Sequence, residues 1–250
     1  MNHYKIVQNP HELEAFIDFL PECNKNEQFY VSLLARSKYL ADRSSIKSDK
    51  QALKRFTSTK SMLYTKIKQL ETGFGNYFLD GKAIPQEALA LYIMPNPRDL
   101  QLAGKNLLVS LANLITKEYN GWNPHKEAMN EIQKTSSNRR FIDFDYDTDA
   151  TEEEFGQHHL SDVWPETKFL INHDALKIVK TRGGFHVLVE VDKVDPKYKK
   201  VWYQSLSKGA DVRGDCLLPV PGCVQGPLDF MPYMMEINTL DISKGIRNLI

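Results

Sequence analysis

The segment FIDFDYDTD, residues 141–149, sets an aspartate at every second position. An extended chain sends successive side chains to opposite faces, so Ile142, Phe144 and Tyr146 share one face and Asp143, Asp145, Asp147 and Asp149 share the other. The apolar half asks for a core to pack against. The acidic half asks for something else, because like charges at neighbouring same-face positions repel and persist together only in open water or around a bound cation.

Around this strand, helix and strand signals alternate with no internal repeat and no low-complexity linker. Asn9-Pro10 ahead of HELEAFIDFL predicts a helix start, with Asn9 as N-cap, Pro10 in the first turn and Glu12 closing a capping box. QFYVSLLA and ALALYIMP predict strands, and the glycines of ETGFGNYFLDGKAI mark turns. A long amphipathic helix is expected from Asn96 and Pro97 onward, with Leu100, Ala103, Leu107, Leu111, Leu114 and Ile115 along one stripe. NGWNPHKEAMN reads as a loop. Beyond the acidic strand, KFLINH, ALKIVKT and FHVLVEVD predict strands, the last two joined at Arg182-Gly183-Gly184. DPKYKKVWYQSLSKGA predicts a helix, and short strands near CLLPVPG and DFMPYMMEI follow it. This order gives an α+β fold in which the acidic strand and the Gly-Gly hairpin are neighbours in one sheet.

Charge is balanced over the 250 residues but unevenly placed. From Arg36 to Lys68 the chain holds ten Lys or Arg against Asp42 and Asp49, in weakly helical, polar sequence; from Asp143 to Glu154 it holds seven acids and no base. A basic segment beside an acidic cluster fits an enzyme that grips a polyanion and carries out metal chemistry on it, and fits equally a pair of solvated faces. No run of about 18 apolar residues and no signal-peptide core appear, so an intracellular, cytoplasmic protein with no membrane partner is expected. Cys23, Cys216 and Cys223 read as free thiols. Zinc held by Cys216 and Cys223 with two of His158, His159 and His173 is not expected, since no paired CxxC spacing supports it.

Three elements carry chemistry. Asp143 and Asp145, about 7 Å apart along a strand, can converge on divalent cations of the Mg²⁺ or Mn²⁺ type, which take oxygen ligands and share them with phosphates. In KTRGGFHVLVE, Lys180, Thr181 and Arg182 lead a turn of small residues that offers donors to phosphate, and His186 alternates onto a face of the next strand; a plain hairpin with a core histidine has the same letters. In GADVRGD, Asp211 supplies a third carboxylate after a helix, with Asp215 close enough to compete for the role.

In order and spacing, FIDFD, TRGGFHVLV and ADVRGD resemble the three motifs of the archaeo-eukaryotic primase superfamily, in particular its primase-polymerase (PrimPol) branch of phages, plasmids and mobile elements. LLPVPG is similar to the proline-bearing segment that follows the third motif. The motifs lie between residues 139 and 226, and the N-terminal half is matched only by general layout. The resemblance implies an archaeo-eukaryotic primase catalytic core: a helix-rich N-terminal α/β subdomain over 1–135 and an RRM-like catalytic subdomain over 136–250 whose sheet carries the acidic motif. It implies two Mg²⁺ or Mn²⁺ ions on Asp143, Asp145 and Asp211, and a nucleoside triphosphate, dNTP or NTP, met by Lys180, Thr181, Arg182 and His186. Asp147 and Asp149 fall outside the motif and are expected to face solvent or to stand just outside the metal ligands.

The activity so implied is DNA-dependent nucleotidyl transfer, synthesising or extending primers on a single-stranded or primed DNA template. Lys50, Lys54, Arg55 and Lys60 would grip the template backbone, and Arg98, at a strand-to-helix junction, would touch template or nucleotide unless Asn96 and Pro97 simply start a helix. A helicase could act as a partner or follow as a fused domain. Two rivals stand beside this reading: a non-catalytic nucleic-acid-binding subunit and a metal-dependent nuclease. The first leaves the three acidic motifs idle, and the second gives the TRGGFH turn no role.

Overall fold

A computed structural model of the chain describes residues 2–46, 48–115, 123–155, 175–198, 200, 202–207 and 209–235. The architecture is α+β with antiparallel sheets, in two compact units: Met1–Asn138 with Leu217–Phe230, and Arg139–Cys216 with Met231–Ile250. Leu217–Phe230, expected in the second subdomain, returns instead to the first. There Leu218 and Pro219 pair with Ile93 and Tyr92, and Val224 exchanges backbone hydrogen bonds with Ile6 and Leu91.

The first unit is organised by a sheet rather than being helix-rich. Its strands are β1 (Glu27–Ala35), β2 (Gln51–Ser58), β5 (Leu89–Ile93), β6 (Arg98–Asp99) and β11 (Leu218–Pro219), with a separate small hairpin of β3 (Phe78–Leu79) and β4 (Lys82–Ala83). The order is β11-β5-β1-β2, with β6 also on β1. β1 has neighbours on both edges and is buried at every residue but Gln28, which is why QFYVSLLA reads as a continuous apolar run. β2 takes up residues expected to be weakly helical, because the open edge of β1 offers backbone partners that outweigh a weak local preference.

Helix α1 (Pro10–Phe19) starts at Asn9 and Pro10 as predicted: Asn9 accepts from the N–H groups of His11 and Glu12, and Leu13 and Phe16 are buried; the Asn9 N–H that a capping box would give to Glu12 goes instead to the Gly222 carbonyl. α2 is Leu63–Lys68. α3 (Leu100–Ile115) begins later than expected, because Asp99 rather than Asn96 caps it, accepting from Gln101 and Leu102 N–H at 2.9 Å each. α4 (Pro124–Lys134) replaces the expected loop; Asn123 caps it through Lys126 N–H, and Met129 packs with Tyr30 and Met94. Among the described residues no helix is long and apolar enough to cross a membrane.

The second unit is a sheet of β7 (Phe141–Asp147), β8 (Leu176–Thr181), β9 (Gly184–Glu190), β10 (Asp211–Arg213) and β12 (Tyr233–Met235), in the order β10-β7-β9-β8-β12, every pair antiparallel. Phe144, Tyr146, Ile178, Phe185, Val187 and Val189 form the core on one face with Phe155 and with Trp202 and Leu206 of a short helix, Trp202–Leu206. The Tyr146 hydroxyl donates to the Leu206 carbonyl at 2.6 Å, and Phe155 stacks on Phe185 with ring centroids 3.9 Å apart. The acidic strand is therefore the neighbour of the Gly-Gly hairpin and alternates as its letters require. The strand expected at KFLINH lies outside the described residues. Of the helix expected over DPKYKKVWYQSLSKGA, a 3-10 turn at Pro196–Tyr198 and the short helix are formed.

Gly184 sets how closely β9 approaches β7. Its φ is +149°, and a Cβ there would stand 1.9 Å from the Tyr146 carbonyl oxygen and 2.9 Å from the Thr148 nitrogen, both backbone. Gly184→Ala should therefore cost on the order of 3 kcal/mol or more, whereas Gly183, whose Cβ would meet only Asp147 Oδ1 at 3.7 Å, should tolerate alanine. Chemical denaturation of the two variants by circular dichroism checks this; equal midpoints would refute it.

Candidate functional site

The site grows from the register of three strands. Asp145 of β7 lies directly opposite His186 of β9 on one side and Asp211 of β10 on the other, and directly opposed residues present their side chains to the same face. Asp143 follows two residues away on that face, which is the reverse of the Phe144 and Tyr146 core face. Three carboxylates predicted from scattered motifs, with one histidine, thus occupy one patch of sheet. Asp215 lies beyond the end of β10 and outside this row, Asp147 is exposed as expected, and so is Asp149.

His186 supplies the positive charge that the row needs. Its Nδ1 meets Asp143 Oδ2 at 2.8 Å, and its Nε2 stands 3.5 Å from Asp145 Oδ1. Burial alone would lower its pKa, but the charge and hydrogen bond of Asp143, followed by the charges of Asp145 and Asp147, outweigh that and raise it, which favours the imidazolium. Asp143 is 2% exposed, so its carboxylate sits where an unpaired ion would be costly. The Cys216 thiol also donates to Asp143 Oδ2, a contact that no spacing in the sequence signals. Asp143 Oδ1 is buried and has no hydrogen-bond partner among the described residues.

On the face that carries that orphaned oxygen, Asp145 and Asp211 stand directly opposite each other, and carboxylates of this kind suit oxygen-seeking divalent cations; among the described residues, however, the three whose ligand atoms lie within 4.8 Å of one another are Asp143, His186 and Cys216. The proposed phosphate contacts are less uniform. Thr181 is buried and its hydroxyl donates to the Gly184 carbonyl at 3.3 Å; Arg182 stands at the apex of the turn between β8 and β9. Lys180 does not join His186. It pairs with Phe185, so it lies on the core face, its Nζ 3.8 Å from the Phe185 ring centroid and within 3.4 Å of the Ala150 carbonyl. Burial holds its pKa below the ordinary lysine value against the pull of Glu152.

Part of the charge of the first unit is spent on the fold. Arg98 is fully buried, donating to the Asn96 and Gln133 carbonyls, which removes it from any template contact. Arg55 donates to the Asn130 side chain at 2.7 Å, Lys60 pairs with Glu22 at 2.9 Å and reaches the Asp18 carbonyl, Lys66 donates to the Thr57 carbonyl, and Lys68 pairs with Glu71. Arg36 is buried against Asp49 and the Tyr92 hydroxyl. Lys50 and Lys54 are exposed. Of the residues weighed for zinc, Cys223 is buried in the first unit, its thiol pKa pushed up by burial, while Cys216 belongs to the second; His158, His159 and His173 lie outside the described residues.

No protein-family model, no curated protein and no solved structure matches this chain.

Removing the imidazole should leave Asp143 buried without its ion partner, so His186→Ala is expected to cost about 3 kcal/mol. The double variant Asp143→Ala with His186→Ala should recover part of that loss, since the pair is coupled. Thermal and urea melting of the four proteins of this cycle measure it; strictly additive losses would contradict the geometry.

Proposed function

We propose that the chain is a DNA-dependent nucleotidyltransferase of primase-polymerase type, in the archaeo-eukaryotic primase superfamily. The observation that carries this reading is the single row Asp211-Asp145-His186, with Asp143 beside it, on one face of an antiparallel sheet. The sheet supports it as well. The strands β7, β8, β9 and β10 follow one another in the chain but lie in the order β10-β7-β9-β8, the arrangement of a split βαβ unit of the RRM-like kind.

Asp143, Asp145 and Asp211 would hold Mg²⁺ or Mn²⁺, which when bound supply charge neutralisation at a reacting triphosphate. The reaction joins a primer 3′-oxygen to the α-phosphorus of a nucleoside triphosphate and breaks the bond from that phosphorus to the β-phosphate oxygen, releasing pyrophosphate. His186 places a positive charge on the face where the polyphosphate must lie, and Arg182 stands at the neighbouring turn, so both act as electrostatic clamps. Thr181 shapes that turn through its bond to Gly184 rather than by offering a free hydroxyl.

Asp145→Ala and Asp211→Ala should each abolish extension of a labelled primer on a single-stranded template by several orders of magnitude while the protein stays folded. Near wild-type extension by either variant, in Mg²⁺ or in Mn²⁺, would overturn the assignment. Shortening of the primer by the wild-type protein would instead point to a nuclease, and neither change to a binding subunit.

The template grip now divides the basic segment. Lys50→Ala with Lys54→Ala should weaken binding of a fluorescent single strand and flatten its log–log salt dependence by about 0.7 for each phosphate that is no longer neutralised. Arg55→Ala and Lys60→Ala, whose charges are engaged within the fold, should leave the slope unchanged and lower the melting temperature instead. Anisotropy titrations across a salt series separate the two pairs, and an unchanged slope in the first pair would return it to the solvated surface.

A further inference from the structure

We infer that Asp143, His186 and Cys216 form a nitrogen, sulfur and oxygen site for one thiophilic divalent cation, Zn²⁺ being the ion that this ligand chemistry suits. One ligand atom from each residue lies within 4.8 Å of the others, and all three residues are buried. The inference stands on this geometry alone and does not depend on nucleotide transfer.

Several observations converge. Both the His186 Nδ1 and the Cys216 Sγ point at the same oxygen, Asp143 Oδ2. Two donor protons thus gather where a single cation would draw the same three atoms to itself. The other oxygen, Oδ1, is buried without a hydrogen-bond partner among the described residues, an unfavourable state unless further positive charge is near. Asp145 stands 3.5 Å from Nε2, as a carboxylate does when it fixes an imidazole that ligates through its other nitrogen. The ligands come from β7, from β9 and from the segment just after β10, whose strands are hydrogen-bonded to one another.

Sulfur decides the ion class. Mg²⁺ selects oxygen, whereas a thiolate with imidazole and carboxylate is a zinc donor set, and three protein ligands leave a fourth position for water or an anion. Binding releases the thiol proton of Cys216 and the Nδ1 proton of His186 to solvent as the metal–sulfur and metal–nitrogen bonds form. Asp143 belongs to both ligand sets, so an ion held by Cys216 competes with ions held by the carboxylates alone.

The probe is Cd²⁺ followed by Zn²⁺, on the whole chain. Titration with Cd²⁺ should produce a saturating thiolate-to-metal charge-transfer band at one equivalent, which Zn²⁺ displaces; the band should vanish in Cys216→Ser and persist in Cys23→Ser. Asp145→Asn should keep the band and weaken Zn²⁺ binding about ten- to a hundredfold. Zinc X-ray absorption of the wild-type protein, which needs no variant, should show one sulfur at about 2.3 Å with nitrogen and oxygen completing the shell. No band, a band that survives Cys216→Ser, or a shell without sulfur would overturn the site. None of these readouts involves primer extension, so failure of the nucleotidyltransferase reading and failure of the zinc site are told apart.

Discussion

Asp143 can be buried only because His186 and Cys216 meet it. A carboxylate at 2% exposure is tolerated when its charge is paired and hydrogen-bonded, and the imidazole that pairs with it also faces Asp145. This places a strict demand on the strands. His186 must lie across from Asp145, so β9 must pair with β7 in one register, and a slip of one residue would send His186 to the core face and Phe185 to the acidic one. The tight turn at Arg182 and Gly183 and the close approach at Gly184 fix that register at its origin. The apolar face of the same strands, from Phe144 to Val189, supplies the packing that holds it.

Charge in the first unit follows a different logic. A run of ten cations with two acids looks like surplus when read locally, yet some of the partners are distant in sequence: Glu22 and the Asp18 carbonyl for Lys60, and Asn130 for Arg55. A buried guanidinium costs free energy unless its N–H groups are met, and Arg98 meets carbonyls of the loop before it and of α4. What remains exposed for a polyanion among the described residues of that run, apart from the paired Lys68, is a smaller set: Lys38, Arg43, Lys50 and Lys54.

Local patterns were readable to the extent that their period was clean. Strict alternation made β7 legible, apolar runs made β1, β5 and β9 legible, and Asn9 with Pro10 announced α1. The same Asn-Pro signal at Asn123 and Pro124 announces α4 and passes for a loop, because the polar residues that follow offer only Met129 as a fully buried anchor. Lys180 goes astray by one residue of parity: with the turn read as Arg182-Gly183-Gly184 its face cannot be set, and the ladder puts Thr181 opposite Gly184 and Lys180 opposite Phe185.

Which side chains share a face of each strand follows from the letters alone, because a two-residue period is a property of backbone geometry. That Asp143 and Asp145 stand together and need a counter-charge is therefore written in the primary structure. What provides the counter-charge is a matter of folding. His186 and Cys216 reach Asp143 from 43 and 73 residues away, and Asp211 comes to lie opposite Asp145 through strand pairing. Such meetings depend on register and chain crossings that no local spacing encodes, which is why a cysteine with no motif of its own ends beside the most buried carboxylate of the acidic strand.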